Sequence, residues 1–215
     1  MAADKVTLRD VAGRAGVHPA TASRALSPDT TGLVNAATAE RVRQAAEALG
    51  YQPDLAARSL KTRRSHTVGV LVPDLTNPLF PPIVRGIEDV LAGAGYVALV
   101  GNTDMDDDRE RLVLDRMRSR HVDGLILATA RRKHPAVVEV ASQGLPVVLV
   151  NRVVDDHTFA SVAADDGLGI RLAAAHLVEL GHRSIAHIAG PQGLSTGFGR
   201  YRGYLAGLEA HGLEA

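Results

Sequence analysis

From Thr67 onward the chain alternates short apolar runs with longer helical stretches, and this alternation restricts the fold more than any other feature. VGVLV, YVALVGN, VDGLILAT, LPVVLVN, SVAA and SIAHIAG read as strands. A stretch from the Pro-Asn-Pro loop to Gly93 or Gly95, and residues 106–120, 135–143, 166–180 and 200–211, read as the helices between them. A strand that is apolar at every position is covered on both faces, so the pattern predicts a doubly wound parallel sheet. Ligands bind such sheets beyond the carboxyl ends of the strands. Those ends carry Asp74, Asn77, Phe80, Asn102, Asn151, Arg152, Asp165 and Asp166, which can hydrogen-bond a polyhydroxyl or heterocyclic ligand around an aromatic plate. Polar residues terminate strands in every α/β protein, so position alone does not make these a site.

Residues 1–66 have a purely helical period. Thr7-Leu8-Arg9-Asp10 forms a capping box, Leu8, Val11, Ala12 and Ala15 follow at helical spacing, and Gly16 can take the left-handed conformation that ends the helix. His18 then stands at an N-cap, Pro19 suits the first turn, and Ala20 to Leu26 continue a second helix. Caps and spacing fit a plain αα-hairpin as well as a helix-turn-helix. The second helix adds Thr21, Ser23 and Arg24 on one face, groups that can read base edges or phosphates in a major groove. A third helix is predicted from Asn35 through Leu49, with Val42, Ala45, Ala46 and Leu49 buried and Gly50 closing it. Asp54 can cap a further segment whose Arg58, Lys61, Arg63 and Arg64 make a basic tether.

Composition supports this division and removes several functions. At 215 residues two domains of unequal size are expected. Residues 1–66 hold ten Lys or Arg against six Asp or Glu, a net of about +4, and the remainder is acidic by the same amount. With aromatics at 3% of the chain, its cores must be packed from Ala, Val, Leu and Ile. The absence of cysteine excludes disulfides, Cys-ligated zinc and thiol catalysis. The N-terminus lacks a basic stretch followed by an apolar run, and no window approaches the roughly eighteen apolar residues of a membrane span, so a cytoplasmic protein without membrane contact is expected.

No catalytic set emerges. Asp104, Asp106, Asp107 and Asp108 are explained by capping and the helix dipole rather than a metal, and His176 and His182 lack a third ligand. Gly197-Phe198-Gly199 lacks the preceding strand and following helix of a dinucleotide fingerprint, and no nucleophile-base pair stands out. Neither a metal nor a cofactor is expected.

VTLRDVAGRAGVHPATASRALS, followed by TAERVRQAAEALGYQPDLAARSLKTRRSHTVGVLVPDLTNPLF, resembles the lactose-repressor (LacI) family of bacterial transcription regulators, and the resemblance runs over the whole chain. It departs in His18-Pro19, where Ser or Thr is usual, and in a longer SPDTTGLV loop. The resemblance implies a helix-turn-helix head over 1–53, a hinge helix and linker over 54–66, and a periplasmic-binding-protein-like sensor. The sensor would comprise a first subdomain over 67–164 and the start of a second over 165–215, whose incompleteness would weaken folding and effector binding.

Members bind pseudo-palindromic operator DNA as homodimers, so double-stranded DNA and a second copy are the implied partners. Pro19, Ala20, Thr21, Ser23 and Arg24 match the recognition contacts, and Thr7, Ala57, Arg58 and Leu60 complete the expected DNA-binding set. Leu60 would wedge into the minor groove. Asp74, Phe80, Asn102, Thr196 and Arg200 match recurrent effector contacts and join Arg152 from the strand-end reading; a carbohydrate is expected ahead of a nucleobase. The competing reading is a sugar-binding protein or small-sugar enzyme with a helical appendage.

Overall fold

A computed structural model describes residues 6–27, 30, 32–52, 64–156 and 158–214, and the chain divides into two compact units, 1–63 and 64–215. Of the hinge helix and linker expected over 54–66, residues 54–63, with Ala57, Arg58 and Leu60, lie outside the described residues.

The first unit is built from α1 (Leu8–Ala15), α2 (Pro19–Leu26) and α3 (Ala36–Leu49). Each begins at the expected cap. The Thr7 backbone and hydroxyl donate to Asp10 Oδ2 at 2.8 and 2.7 Å, closing the capping box. These bonds, the hydroxyl's first, hold the Asp10 carboxyl below the usual range. His18 Nδ1 accepts from the Ala20 amide at 3.2 Å, and Asn35 Oδ1 from that of Ala37 at 2.8 Å. Gly16 takes φ +66°, which lets the Val17 amide reach back to the Ala12 carbonyl at 3.0 Å and turns the chain into α2. Val11, Ala12, Ala15, Ala22, Val42, Ala45 and Ala46 form the core, mostly of small side chains that let three short helices pack closely. Arg41 Nε donates to the Ala15 carbonyl at 3.1 Å and satisfies the end of α1.

The second unit carries a five-stranded parallel sheet in the order β2-β1-β3-β4-β5: β1 (Thr67–Val72), β2 (Val97–Asn102), β3 (Gly124–Leu127), β4 (Val147–Val150) and β5 (Ala160–Val162). Between them run α4 (Phe80–Gly93), α5 (Asp107–Ser119) and α6 (Pro135–Ser142). Adjacent residues of β1 face opposite ways and both are buried. Leu71 packs with Leu114, Met117, Leu125 and Leu149 under α5 and α6, whereas Val70 and Val72 pack with Phe80 and Ala128 under α4. A Cβ at Gly69 would stand 2.5 Å from Met117 Sδ, so this glycine makes room for α5. Asp123 accepts from the Ser65 and His66 amides at 2.8 and 3.0 Å, fixing the start of β1 beside that of β3.

After β5 come α7 (Asp166–Glu179) and α8 (Ser195–Glu209). The latter corrects the helix expected over 200–211: it starts five residues earlier, and Gly197-Phe198-Gly199 lies within its first turns. Glycine propensity argues for a loop there, but close packing decides otherwise. An added Cβ at Gly203 would run into the Gly167 backbone, with Cα at 2.8 Å, and one at Gly207 would meet Ala174 Cβ at 2.9 Å.

The second correction concerns SIAHIAG, expected as a strand, which is in no ladder among the described residues; Ile188 there is 99% exposed. A strand requires a neighbour for its backbone groups, and β5 pairs with β4 alone. The segment is held instead by the Tyr204 hydroxyl, which donates to the Ile185 carbonyl at 2.8 Å.

Candidate nucleic-acid interface and ligand cleft

In the first unit, α2 presents the groups singled out from the sequence. Ala22 is fully buried and sets which face turns inward, leaving Ala20 and Arg24 exposed and Pro19, Thr21 and Ser23 half-buried. The Arg24 guanidinium has no ion-pair partner among the described residues. Its backbone carbonyl accepts from the Thr30 hydroxyl at 2.7 Å, which closes α2 and directs the chain away. Thr7 is exposed, but its hydroxyl is engaged in the capping box. A short helix with one buried alanine and a free guanidinium at its last turn can lie in a groove without unburying its own core.

In the second unit, a cavity of ≈ 280 Å³ opens at the carboxyl ends of the strands. Pro73 follows β1, Thr103 follows β2, Thr129 and Arg131 follow β3, and Arg152 follows β4; Gly193 and Leu194 close the far wall. Glu110, buried on the same α5 stripe as Leu114 and Met117, supplies the floor. The Thr129 hydroxyl donates to its Oε1, and His134 Nε2 lies 3.2 Å from its Oε2. His134 Nδ1 accepts from the Arg131 amide at 3.3 Å, which places the ring proton on Nε2.

Arg131 pairs with Asp107, and the two shift each other: the carboxyl is held below its usual range and the guanidinium above its own. Arg152 has no ion pair among the described residues, although the Glu110 carboxylate acts on it in the opposite sense to Arg131. Burial, with Arg131 adding to it, pulls its guanidinium below the ordinary arginine range, and Nε is buried without a hydrogen bond.

Of the expected effector residues, only Arg152 lines this cavity. Asp74 lies on the loop after Pro73, where its carboxylate accepts from the Thr76 hydroxyl at 2.7 Å and amide at 2.8 Å; these bonds lower its pKa. Asn102 braces the same loop, accepting from the Leu75 amide at 3.0 Å and donating to Asp104. Phe80 is 2% exposed and packs in the core beneath α4, so it shows no open ring face. Thr196 is half-buried in the first turn of α8, and Arg200 Nε pairs with Asp166 Oδ1 at 2.7 Å. That pair stands beside a second cavity of ≈ 440 Å³, lined by Asp166, Arg171, Ser195, Arg202 and Gly203 among others.

The sequence reading missed Glu110, Thr129, Arg131 and His134. Thr129 and Arg131 directly follow an apolar strand, and Glu110 shares helical spacing with Leu114 and Met117, so a signal existed for these three. Arg132 was missed too. It binds Asp155 Oδ1 through Nε at 2.8 Å, its guanidinium carbon stands 3.6 Å over the Phe198 ring centroid, and its amide donates to the Gly193 carbonyl at 3.0 Å. It thereby fastens the β3 end to the start of α8.

The chain thus combines a three-helix unit with a capped second helix and a parallel α/β unit that carries a polar cleft at its strand ends. Residues 7–54 match the bacterial regulatory proteins of the lacI family, and residues 65–215 match the periplasmic binding proteins and sugar binding domain of the LacI family. The chain belongs to the LacI family.

Among its relatives, the ribose operon repressor of Halalkalibacterium halodurans is 39% identical over 92% of this chain and 58% of its own. The transcriptional repressor CytR of Escherichia coli K12 is 35% identical over 96% of this chain and 60% of its own. A lac repressor dimer solved with operator and the anti-inducer ONPF superposes with a TM-score of 0.84 at 28% identity, covering 98% of this chain and 64% of that one. The chain thus spans about three fifths of the length of these curated relatives. These relatives are transcriptional repressors. No helix among the described residues is long and apolar enough to cross a membrane.

Proposed function

We propose that this chain is a sequence-specific DNA-binding transcriptional repressor, cytoplasmic and without enzymatic activity, which binds a pseudo-palindromic operator as a homodimer under control of a small carbohydrate effector. The observation that carries the reading is α2, whose buried Ala22 turns Ala20, Thr21, Ser23 and Arg24 outward, the Arg24 guanidinium without an ion pair among the described residues, at the start of a LacI-family chain. Pro19 shapes the first turn, and Thr7 holds α1 against the phosphates. Arg24 reads guanine, or a phosphate, and the hydroxyls of Thr21 and Ser23 read neighbouring edges. Ala57, Arg58 and Leu60 belong to the tether over 54–66, which forms a hinge helix on DNA with Leu60 wedged in the minor groove.

The sensor extends over 67–164 and into 165–215. Its effector lies at the strand ends, with Arg152, Asp74 and Asn102 on one side and Thr196 and Arg200 on the other; Phe80 supports the first side from the core. Names of relatives, including ribose operon repressors, favour a sugar over a nucleobase.

A gel shift across a salt series tests the reading. The chain should hold its operator, selected from random duplexes, at least about a thousandfold more tightly than unrelated DNA. Equal binding to both at every salt concentration refutes sequence recognition.

A further inference from the structure

The cavity at the strand ends holds a guanidinium, that of Arg152, whose buried Nε has no hydrogen-bond partner among the described residues. Arg131 pairs with Asp107, and Glu110, which accepts from the Thr129 hydroxyl and lies 3.2 Å from His134 Nε2, acts on Arg152 through its charge without an ion pair between them among the described residues. A buried donor left unsatisfied costs free energy, more when it is charged. The cost is sustained by the backbone. Asn151 has φ +66°, and across it the Arg152 amide donates to the Val150 carbonyl at 2.7 Å, the bonding pattern and φ of a classic γ-turn. The Asn151 amide donates to the Val162 carbonyl at 2.8 Å, so β5 pins the turn that aims Arg152. Across the opening, Asp104 and Met105 are also left-handed, at φ +52° and +58°. Strain of this kind persists where the surrounding structure holds it and concentrates at ligand clamps.

We propose that this cavity takes a small ligand bearing an oxyanion, phosphate or carboxylate, and that Arg152 receives its charge. This rests on the reading of the strand ends as the effector site and narrows the effector to a sugar phosphate or sugar acid. An oxyanion satisfies the guanidinium through charge-assisted hydrogen bonds that a neutral hydroxyl makes more weakly. It also offsets the repulsion between Arg131 and Arg152, which burial aggravates. At ≈ 280 Å³ the cavity is near the lower limit of about 300 Å³ for ligand pockets, which suits a monosaccharide derivative rather than an oligosaccharide.

Calorimetric titration of the 215-residue chain with ribose 5-phosphate, gluconate and ribose tests the proposal. At least one anionic sugar should bind about tenfold or more tightly than ribose, the phosphate and carboxylate arms identifying which group is taken. Arg152→Met should abolish that margin. Because the variant can fail to fold, the Arg152 Nε–H resonance of the unaltered chain is followed by NMR during titration with inorganic phosphate and, separately, with ribose. It should move with phosphate and not with ribose. Equal affinity for charged and neutral sugars, a margin that survives Arg152→Met, or a resonance that phosphate leaves in place overturns the proposal. Tight ribose binding indifferent to Arg152 overturns the anion assignment and leaves the effector site standing; no binding of any of the three sugars removes both.

Discussion

The side chains around the cleft divide into those whose polar atoms find partners in the fold and Arg152, whose buried Nε finds none among the described residues. Asp107 and Arg131 belong to the first group, and their pairing makes a pH prediction. The Asp107 carboxyl is held below its ordinary value by Arg131, so its contribution to stability is complete above the unfolded-state pKa of about 3.9 and is lost as pH falls through the lower folded value. With Asp107 more than half exposed, the contribution at neutral pH is no more than about 1 kcal/mol. Asp107→Asn should lower the urea midpoint at pH 7 slightly, and the gap from the parent chain should close below about pH 4. A gap independent of pH would show that Asp107 acts by packing or capping alone. Glu110 and His134 are legible only in part at this scale: the helical stripe gives Glu110 as buried, but nothing in the sequence gives the two partners that satisfy it.

Among the elements, α7 and α8 show most clearly how packing overrides propensity. Gly197, Gly203 and Gly207 weaken α8 as an isolated helix, since glycine costs about 1 kcal/mol relative to alanine in a helix interior. They nevertheless mark the face that meets its neighbours. Gly203→Ala should raise helix propensity and still destabilise the second unit by about 1–3 kcal/mol, because the added methyl meets the Gly167 backbone, which cannot rotate away. Gly69→Ala should cost less, since the obstructing atoms are Met117 Sδ and Leu125 Cδ2, ends of flexible side chains. Thermal melts of both variants rank the two, and a Gly203→Ala chain at least as stable as the parent contradicts the close approach of α7 and α8. The helix expected from residue 200 begins instead at Ser195, whose hydroxyl accepts the Val153 amide at 2.9 Å.

For the whole molecule, the zero formal charge conceals a basic first part and an acidic remainder. Phosphate contacts concentrated in the first part should make the operator affinity fall linearly with salt on a log–log plot, by about 0.9 power per neutralised phosphate. Arg24→Ala should cost about 1–3 kcal/mol on the operator if Arg24 reads a base, with relaxed preference at one position; uniform weakening on all duplexes would assign it to a phosphate instead. The sequence by itself determined the helix-turn-helix caps, the five paired strands and the family. The caps and strands follow from local hydrogen bonding and from hydrophobic period, which neighbouring residues specify, whereas the family rests on the resemblance of whole motifs. Only the tertiary structure decided that SIAHIAG has no strand partner among the described residues, that Phe80 is sealed in the core, and that Arg152 Nε is buried at the cleft without a hydrogen-bond partner among the described residues. Each depends on what lies opposite, and residues 110, 131 and 152 come together only when the crossovers from β2 to β3 and from β3 to β4 return the chain to the same end of the sheet.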